Sequence, residues 1–169
     1  MSFSIYAASV PVFQQMLGSL RDILAKADAH AAAKKIEPQA LLGARLAPDM
    51  FPLTRQVQIA CDFAKGVCGR LAQVELPVHA DNEQSFAELL ARIDTVLAFI
   101  GALPQAAFAG AESREIVLRP GTPKERRFSG QDYLLHYGLP QFFFHHTSSY
   151  ALLRHNGIAI GKLDYMGTF

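Results

Sequence analysis

Four stretches of the chain carry apolar residues at helical spacing, and one carries them at alternate positions. In the first, Phe13, Leu17, Leu20 and Leu24 recur every three or four residues, which predicts a helix ending near Ala32. Pro11 fits its first turn if Ser9 is the N-cap (Ser4 is the other candidate start), and Lys34 and Lys35 suit the negative end of its dipole. The second helix is expected after Pro48, with Asp49 as N-cap and Pro52 in the first turn. Leu53, Val57, Ala60, Ala64, Val67, Leu71 and Val74 then step by fours and threes, the seam of a bundle helix. The third helix opens on the capping-box pattern Ser85-Phe86-Ala87-Glu88. Phe86, Leu89, Leu90, Ile93, Leu97 and Ile100 form its stripe, and Gly101 and Pro104 end it.

The period then changes. Arg114–Arg119 and Lys124–Phe128 flank Pro120-Gly121-Thr122-Pro123 and alternate in character, which predicts a small β-hairpin. Ser129 can cap a fourth helical region that Gly138 and Pro140 interrupt, that resumes over Gln141–His155, and that stops at Asn156-Gly157. Ile158–Phe169 is a tail of alternating character. The expected fold is therefore all-α, a four-helix bundle with a β-hairpin inserted between helices three and four, and one domain over residues 1–169.

Composition narrows the function classes. Sixteen basic residues face fifteen acidic ones, a formal charge of +1, so no global attraction to nucleic acid or to an anionic membrane is expected. The hairpin cations Arg114, Arg119, Lys124, Arg126 and Arg127 are interleaved with Glu112, Glu115 and Glu125 and read as a solvated loop guarding a strand edge. No apolar run is long enough for a membrane span, and the first residues lack the Lys or Arg of a signal peptide. Cys61 and Cys68 lie two helical turns apart, about 10 Å, too far for a disulfide. Two reduced thiols point to a cytoplasmic protein.

Candidate chemistry lies in the polar residues near the stripes. With Leu53 at the centre of the second helix's seam, Asp49 and Gln56 fall within about 60° of it, while Gln58 and Asp62 point away and Asp62 reads as a solvated charge. On the fourth helix, Leu139, Phe142, Phe143, Tyr150, Leu152 and Leu153 draw the apolar arc. His146 lies near its centre, His145 to one side, Ser149 inside it, and Phe144 opposite, where a further surface or a second subunit would cover it. His145, Tyr150, Gln56 and Asp49 are thus candidates to converge between two facing helices, where bundles build metal and cofactor sites. An imidazole on an apolar face is also how a hydrogen-bonded core histidine looks, and Asp49 serves equally as an N-cap. A zinc-type site wants three protein ligands. Adjacent His145 and His146 diverge by about 100° on a helix, and four residues away from them stand Gln141, Phe142, Ser149 and Tyr150 rather than a further histidine. His30, His79, His136 and His155 are scattered.

The segments Arg45-Leu46-Ala47-Pro48-Asp49-Met50-Phe51-Pro52-Leu53, Gln56-Val57-Gln58, Phe144-His145-His146-Thr147-Ser148-Ser149-Tyr150-Ala151-Leu152-Leu153-Arg154-His155-Asn156-Gly157 and Gly161-Lys162-Leu163-Asp164 carry a resemblance over nearly the whole chain. The sequence resembles the DinB/YfiT-like superfamily, and within it an uncharacterised branch, a domain of unknown function. The resemblance implies an up-down-down-up bundle, a homodimer, and an active site holding a divalent metal such as zinc or nickel. The superfamily's motif is one His on the second helix and His-x3-His on the fourth. His145 matches the second His of that pair, Gln141 stands at the first, and Gln56 or a neighbour stands at the second-helix position. A shift of one residue would put His146 and Phe142 there instead. The implied function is a bundle protein with a degenerate inter-helix metal site, a hydrolase or a thiol or group transferase acting on a small molecule. His145 would be ligand or base, with Tyr150, Asp49 and Gln56 orienting substrate or water. The alternative is a non-catalytic dimeric bundle that binds a small molecule or a protein partner.

Overall fold

The structure is a computed structural model and describes residues 4–168. Helix α1 (Val10–Lys34) has Pro11 in its first turn and ends on Lys35, whose left-handed backbone lets its N–H close back onto Ala31 and Ala32. A short helix α2 (Pro38–Leu42), with no counterpart in the expected elements, follows. Helix α3 (Leu53–Ala72) starts later than expected. Its first residue follows Pro52, which is extended, and the N–H of Leu53 bonds the Ala44 carbonyl across the loop. Gln73 ends it in the left-handed region, so Val74 lies outside the seam. Helix α4 (Phe86–Gly101) is capped as its sequence predicts: Ser85 Oγ accepts from the Glu88 N–H at 3.2 Å, and Glu88 reaches back to the Gln84 N–H.

Strands β1 (Glu115–Leu118) and β2 (Arg126–Ser129) pair antiparallel, with Ile116 opposite Phe128 and Leu118 opposite Arg126. One α turn, α5 (Gly130–Asp132), is capped by Ser129 and runs into a π-helical turn over Tyr133–Gly138 before helix α6 (Leu139–His155). Pro140 has no N–H to give to the preceding turn, so the ladder has to adjust there. Gly138 is where this turn crosses α3: a Cβ on it would stand 2.5 Å from Val67 Cγ2. The tail closes with helix α7 (Lys162–Met166) in place of the alternating segment expected. That helix is strapped to the bundle by the Lys26–Asp164 pair, by Gln15 Nε2 donating to the Met166 carbonyl at 2.8 Å, and by the Thr147–Tyr165 hydroxyl pair.

Helix directions follow from the cross-contacts. Phe13 meets Phe142 and Met16 meets His146, so α1 and α6 run parallel. Gln58 meets Arg92 and Gly69 meets Phe99, so α3 and α4 also run parallel. Arg21 meets Asp94 and Gln14 meets Gly101, so α4 opposes α1. The order α1, α3, α4, α6 is up-down-down-up. The stripes predicted from sequence meet at the centre, with Leu17, Leu24, Leu53, Leu71, Phe86 and Ile93 fully buried. Cys61 and Cys68 are free and buried in α3, and burial pushes the Cys61 thiol up to about 12. Among the described residues no helix is long and apolar enough to cross a membrane.

Candidate functional site

Helix α6 turns its two adjacent histidines toward different neighbours. His145 faces α3, where its Nδ1 stands 2.7 Å from Gln56 Oε1. The other end of that amide is fixed as well: Gln56 Nε2 donates to the Phe51 carbonyl at 3.2 Å. A carbonyl only accepts, so the NH2 must face Phe51 and Oε1 must face the imidazole. Oε1 in turn accepts, so the proton of a neutral His145 is on Nδ1. The lone pair is left on Nε2, which bonds no described residue. The ring stacks on Phe63 at 6.1 Å and takes the edge of Phe144 at 5.2 Å. Burial, together with the positive charge of Arg55, pushes the imidazole down to about 4, so it is neutral at pH 7.

His146 faces α1 and is fully buried. Its Nε2 stands 2.9 Å from the Met16 carbonyl and 3.1 Å from Ser19 Oγ, so the proton sits on Nε2. Nδ1 is sealed in the core with no partner among the described residues. Burial drives this imidazole to about 4 as well. Of the two adjacent rings, His145 meets the second bundle helix and His146 meets the first.

The remaining candidates do not join His145. Asp49 is exposed in the loop before α3 and makes no cap, because α3 begins four residues later on an extended Pro52. The N-cap assignment and the inward placement are both corrected. Tyr150 is half-buried on the α7 side, edge-on to Tyr165 at 5.6 Å, and no hydrogen bond or ring contact links it to His145 or Gln56. The aromatic run is not a uniform surface either: Phe142 is core and Phe143 half-buried, while Phe144 is 56% exposed.

The donor set does not fit the superfamily's metal. Among the described residues, no three His, Cys, Asp or Glu side chains come together to hold an ion. Only His145 offers an imidazole with a free nitrogen on this face, and its neighbours Gln56 and Gln141 are neutral amides that bind zinc poorly.

A second polar cluster escaped the sequence reading. Arg92 on α4 has a side chain only 1% exposed, ringed by Asp81 at 2.7 Å, Glu83 at 2.9 Å and Asp62 at 2.9 Å. Lys65 joins Asp62 and His79, and Arg55 joins Asp81 and Gln58. Asp62 is therefore no free surface charge, because the connection 73–85 folds back over that face of α3. Arg92 stands three residues after Leu89 and four before Val96, inside the apolar stripe of α4. An arginine at that spacing is the signal that could have revealed the cluster.

An up-down-down-up helical bundle with a small hairpin before its last long helix is a DinB-like fold. The chain belongs to the family of the domain of unknown function DUF1993, whose model matches residues 5–166. It is similar to a DinB family member protein from Shewanella denitrificans known from a crystal structure, with 41% identity over 97% of this chain and 92% of that one and a TM-score of 0.90. No protein with a curated description matches it.

Proposed function

We propose that this protein acts on a small molecule by metal-free proton transfer at the His145–Gln56 pair. It would do so as a hydrolase, or as a transferase moving a group to or from a thiol or hydroxyl. The observation that carries the reading is the hydrogen-bond chain in which His145 Nδ1 donates to Gln56 and Gln56 donates to the Phe51 carbonyl, which leaves the Nε2 lone pair without a partner among the described residues. Histidine held in one tautomer by a fixed acceptor on Nδ1 is how a general base is oriented. At about 4 its basicity is low for work at pH 7. An anionic substrate beside it would raise that value, the direction that general-base catalysis wants. Gln56 positions the ring and Phe63 and Phe144 wall it.

The test is turnover of an ester-hydrolysis panel and a thiol-transfer panel by protein purified without an affinity tag, with metal content measured alongside. His145→Ala should lose about 10²- to 10⁴-fold in rate, and chelator should leave the wild-type rate unchanged. Stoichiometric metal that disappears in His145→Ala would contradict the metal-free reading. A second reading, a non-catalytic dimeric bundle, is favoured by two exposed aromatics beside the same pair, Phe51 at 51% and Phe144 at 56%. Light scattering at micromolar concentration should then give twice the chain mass, and Phe144→Ser should return a monomer.

A further inference from the structure

Three adjoining cavities, of about 550, 350 and 210 Å³, surround Tyr137. The first two share Gln141, and the first and third share Leu118 and Arg119. Together they form an open groove between the hairpin and the start of α6, in the size range of small-molecule sites. Its floor is aromatic. Tyr137 packs against Phe128 at 5.4 Å, Phe63 at 5.8 Å and Tyr133 at 5.9 Å. The Tyr133 hydroxyl is taken by Arg70, whereas that of Tyr137 bonds no described residue. Tyr137 is delivered by the π-helical turn, a rare conformation that recurs at functional sites.

Basic residues outnumber acidic ones on the rim. Arg70, Arg119, Lys124 and Arg126 line the groove, and among the described residues none of them pairs with a carboxylate. The two carboxylates that also line it are already engaged. Glu125 holds the Gly121 N–H and Arg127, and Asp62 holds Lys65 and Arg92. Strand alternation sharpens the point. Arg126 lies opposite Leu118 on the strand face that also carries Ile116 and Phe128, and it is unpaired. Arg127, one residue on, points to the other face and has both Glu115 and Glu125. Both arginines are exposed, yet the one on the groove face has no carboxylate partner while its neighbour on the other face has two. Arg119 also sits in the left-handed region at φ 52°, uncommon for a residue with a side chain, where the first and third cavities meet.

We infer that this groove binds a small planar anion, an aromatic ring bearing a carboxylate or a phosphate. The ring lies against Tyr137 and the charge between Arg119 and Arg126. Tyr137, Arg119 and Arg126 lie outside the His145–Gln56 pair, although the groove shares Phe63 and Phe144 with its walls.

The test is ligand-observed NMR and thermal shift with benzoate and phenyl phosphate, using benzyl alcohol and inorganic phosphate as controls. Wild type is compared with Arg119→Gln, Arg126→Gln, Tyr137→Leu, Arg127→Gln and His145→Ala. The exposed arginine variants should melt as wild type does. Both aromatic anions should bind, the tighter of the two identifying the charged group, and the two controls should bind about tenfold more weakly. Arg119→Gln and Arg126→Gln should each weaken binding about three- to fivefold, and added salt should weaken it further. Tyr137→Leu should do likewise, while Arg127→Gln and His145→Ala leave it unchanged. Benzyl alcohol matching benzoate, inorganic phosphate matching phenyl phosphate, or Arg127→Gln acting as strongly as Arg126→Gln would overturn the assignment. So would no binding at all, or a short single-stranded oligonucleotide binding far more tightly than either aromatic anion.

Discussion

His145 and His146 are consecutive residues on one helix, both buried, both pushed by burial to about 4, and they end in opposite tautomers. The turn of about 100° between them sends one ring to α3 and the other to α1. On the α1 side, the Met16 carbonyl takes the Nε2 proton and the leftover Nδ1 is sealed in the core. On the α3 side, the Gln56 amide takes the Nδ1 proton and the leftover Nε2 lies beyond the reach of every described partner. Being buried and titrating low therefore do not separate a structural histidine from a candidate functional one here. What separates them is which nitrogen the neighbouring helix claims.

The strongest way to sharpen that contrast is to change what claims it. Replacing both amides, Gln56→His with Gln141→His, introduces two imidazoles at the positions where the resemblance implies metal ligands, beside His145. The double variant should bind zinc at micromolar Kd or better, about 8 kcal/mol, while the wild-type chain takes up none by titration calorimetry. Equal affinity in the two would break the argument that the amides remove the metal.

Arg92 shows what damage to a purely structural polar group costs. Arg92→Leu leaves Asp62, Asp81 and Glu83 crowded without their shared cation. Urea unfolding should show about 3–5 kcal/mol of lost stability. A loss under about 1 kcal/mol would mean that the cluster behaves as surface charge.

The pH profile separates the core histidine from that cluster. His146 has a lowered pKa in the folded chain, so the unfolded chain takes up its proton first, near 6.5. Its contribution is present above that pH and is lost as pH falls toward about 4. The amount is about 3 kcal/mol by linkage. Asp81 and Glu83 are also held below their ordinary values, each desolvated by burial but stabilised as a carboxylate by its neighbours, chiefly Arg55 and Arg92 for Asp81 and Arg92 for Glu83. Their contribution persists to lower pH and is lost only as pH falls through those values. His146→Leu should reduce the stability change between pH 7 and pH 5, leaving the part that His145 and His79 contribute in the same direction, while costing about 1 kcal/mol at pH 7, because Ser19 Oγ still donates to Met16. An unchanged slope in urea midpoints would place the titrating group elsewhere.

The helices, the hairpin and its place in the chain were legible because Leu53, Val57 and Phe86 repeat at helical spacing and Ser85-Phe86-Ala87-Glu88 is a local cap. The pairing of Gln56 with an imidazole of the fourth helix was legible for the same reason: both fall beside stripes that must face each other. Asp49 was misplaced because a good N-cap residue was read ahead of the proline that sets where α3 begins. Asp62 was misread because the segment covering it, 73–85, has no periodicity from which its path could be drawn. Tyr150 lies on the apolar arc, but that arc is shared among α3, α1 and α7, and the docking of Tyr165 draws Tyr150 to α7.

The central claim is the identity of the proton-bearing nitrogen on His145, and nitrogen-15 NMR of the imidazole across pH 7 to 4, in wild type and Gln56→Leu, measures it directly. The wild-type ring should be neutral with its proton on Nδ1 and should titrate near 4. Gln56→Leu should release it to a mixture of tautomers at a cost of about 1 kcal/mol in stability. A wild-type His145 protonated on Nε2, or titrating near 6.5 like a free histidine, would contradict the account.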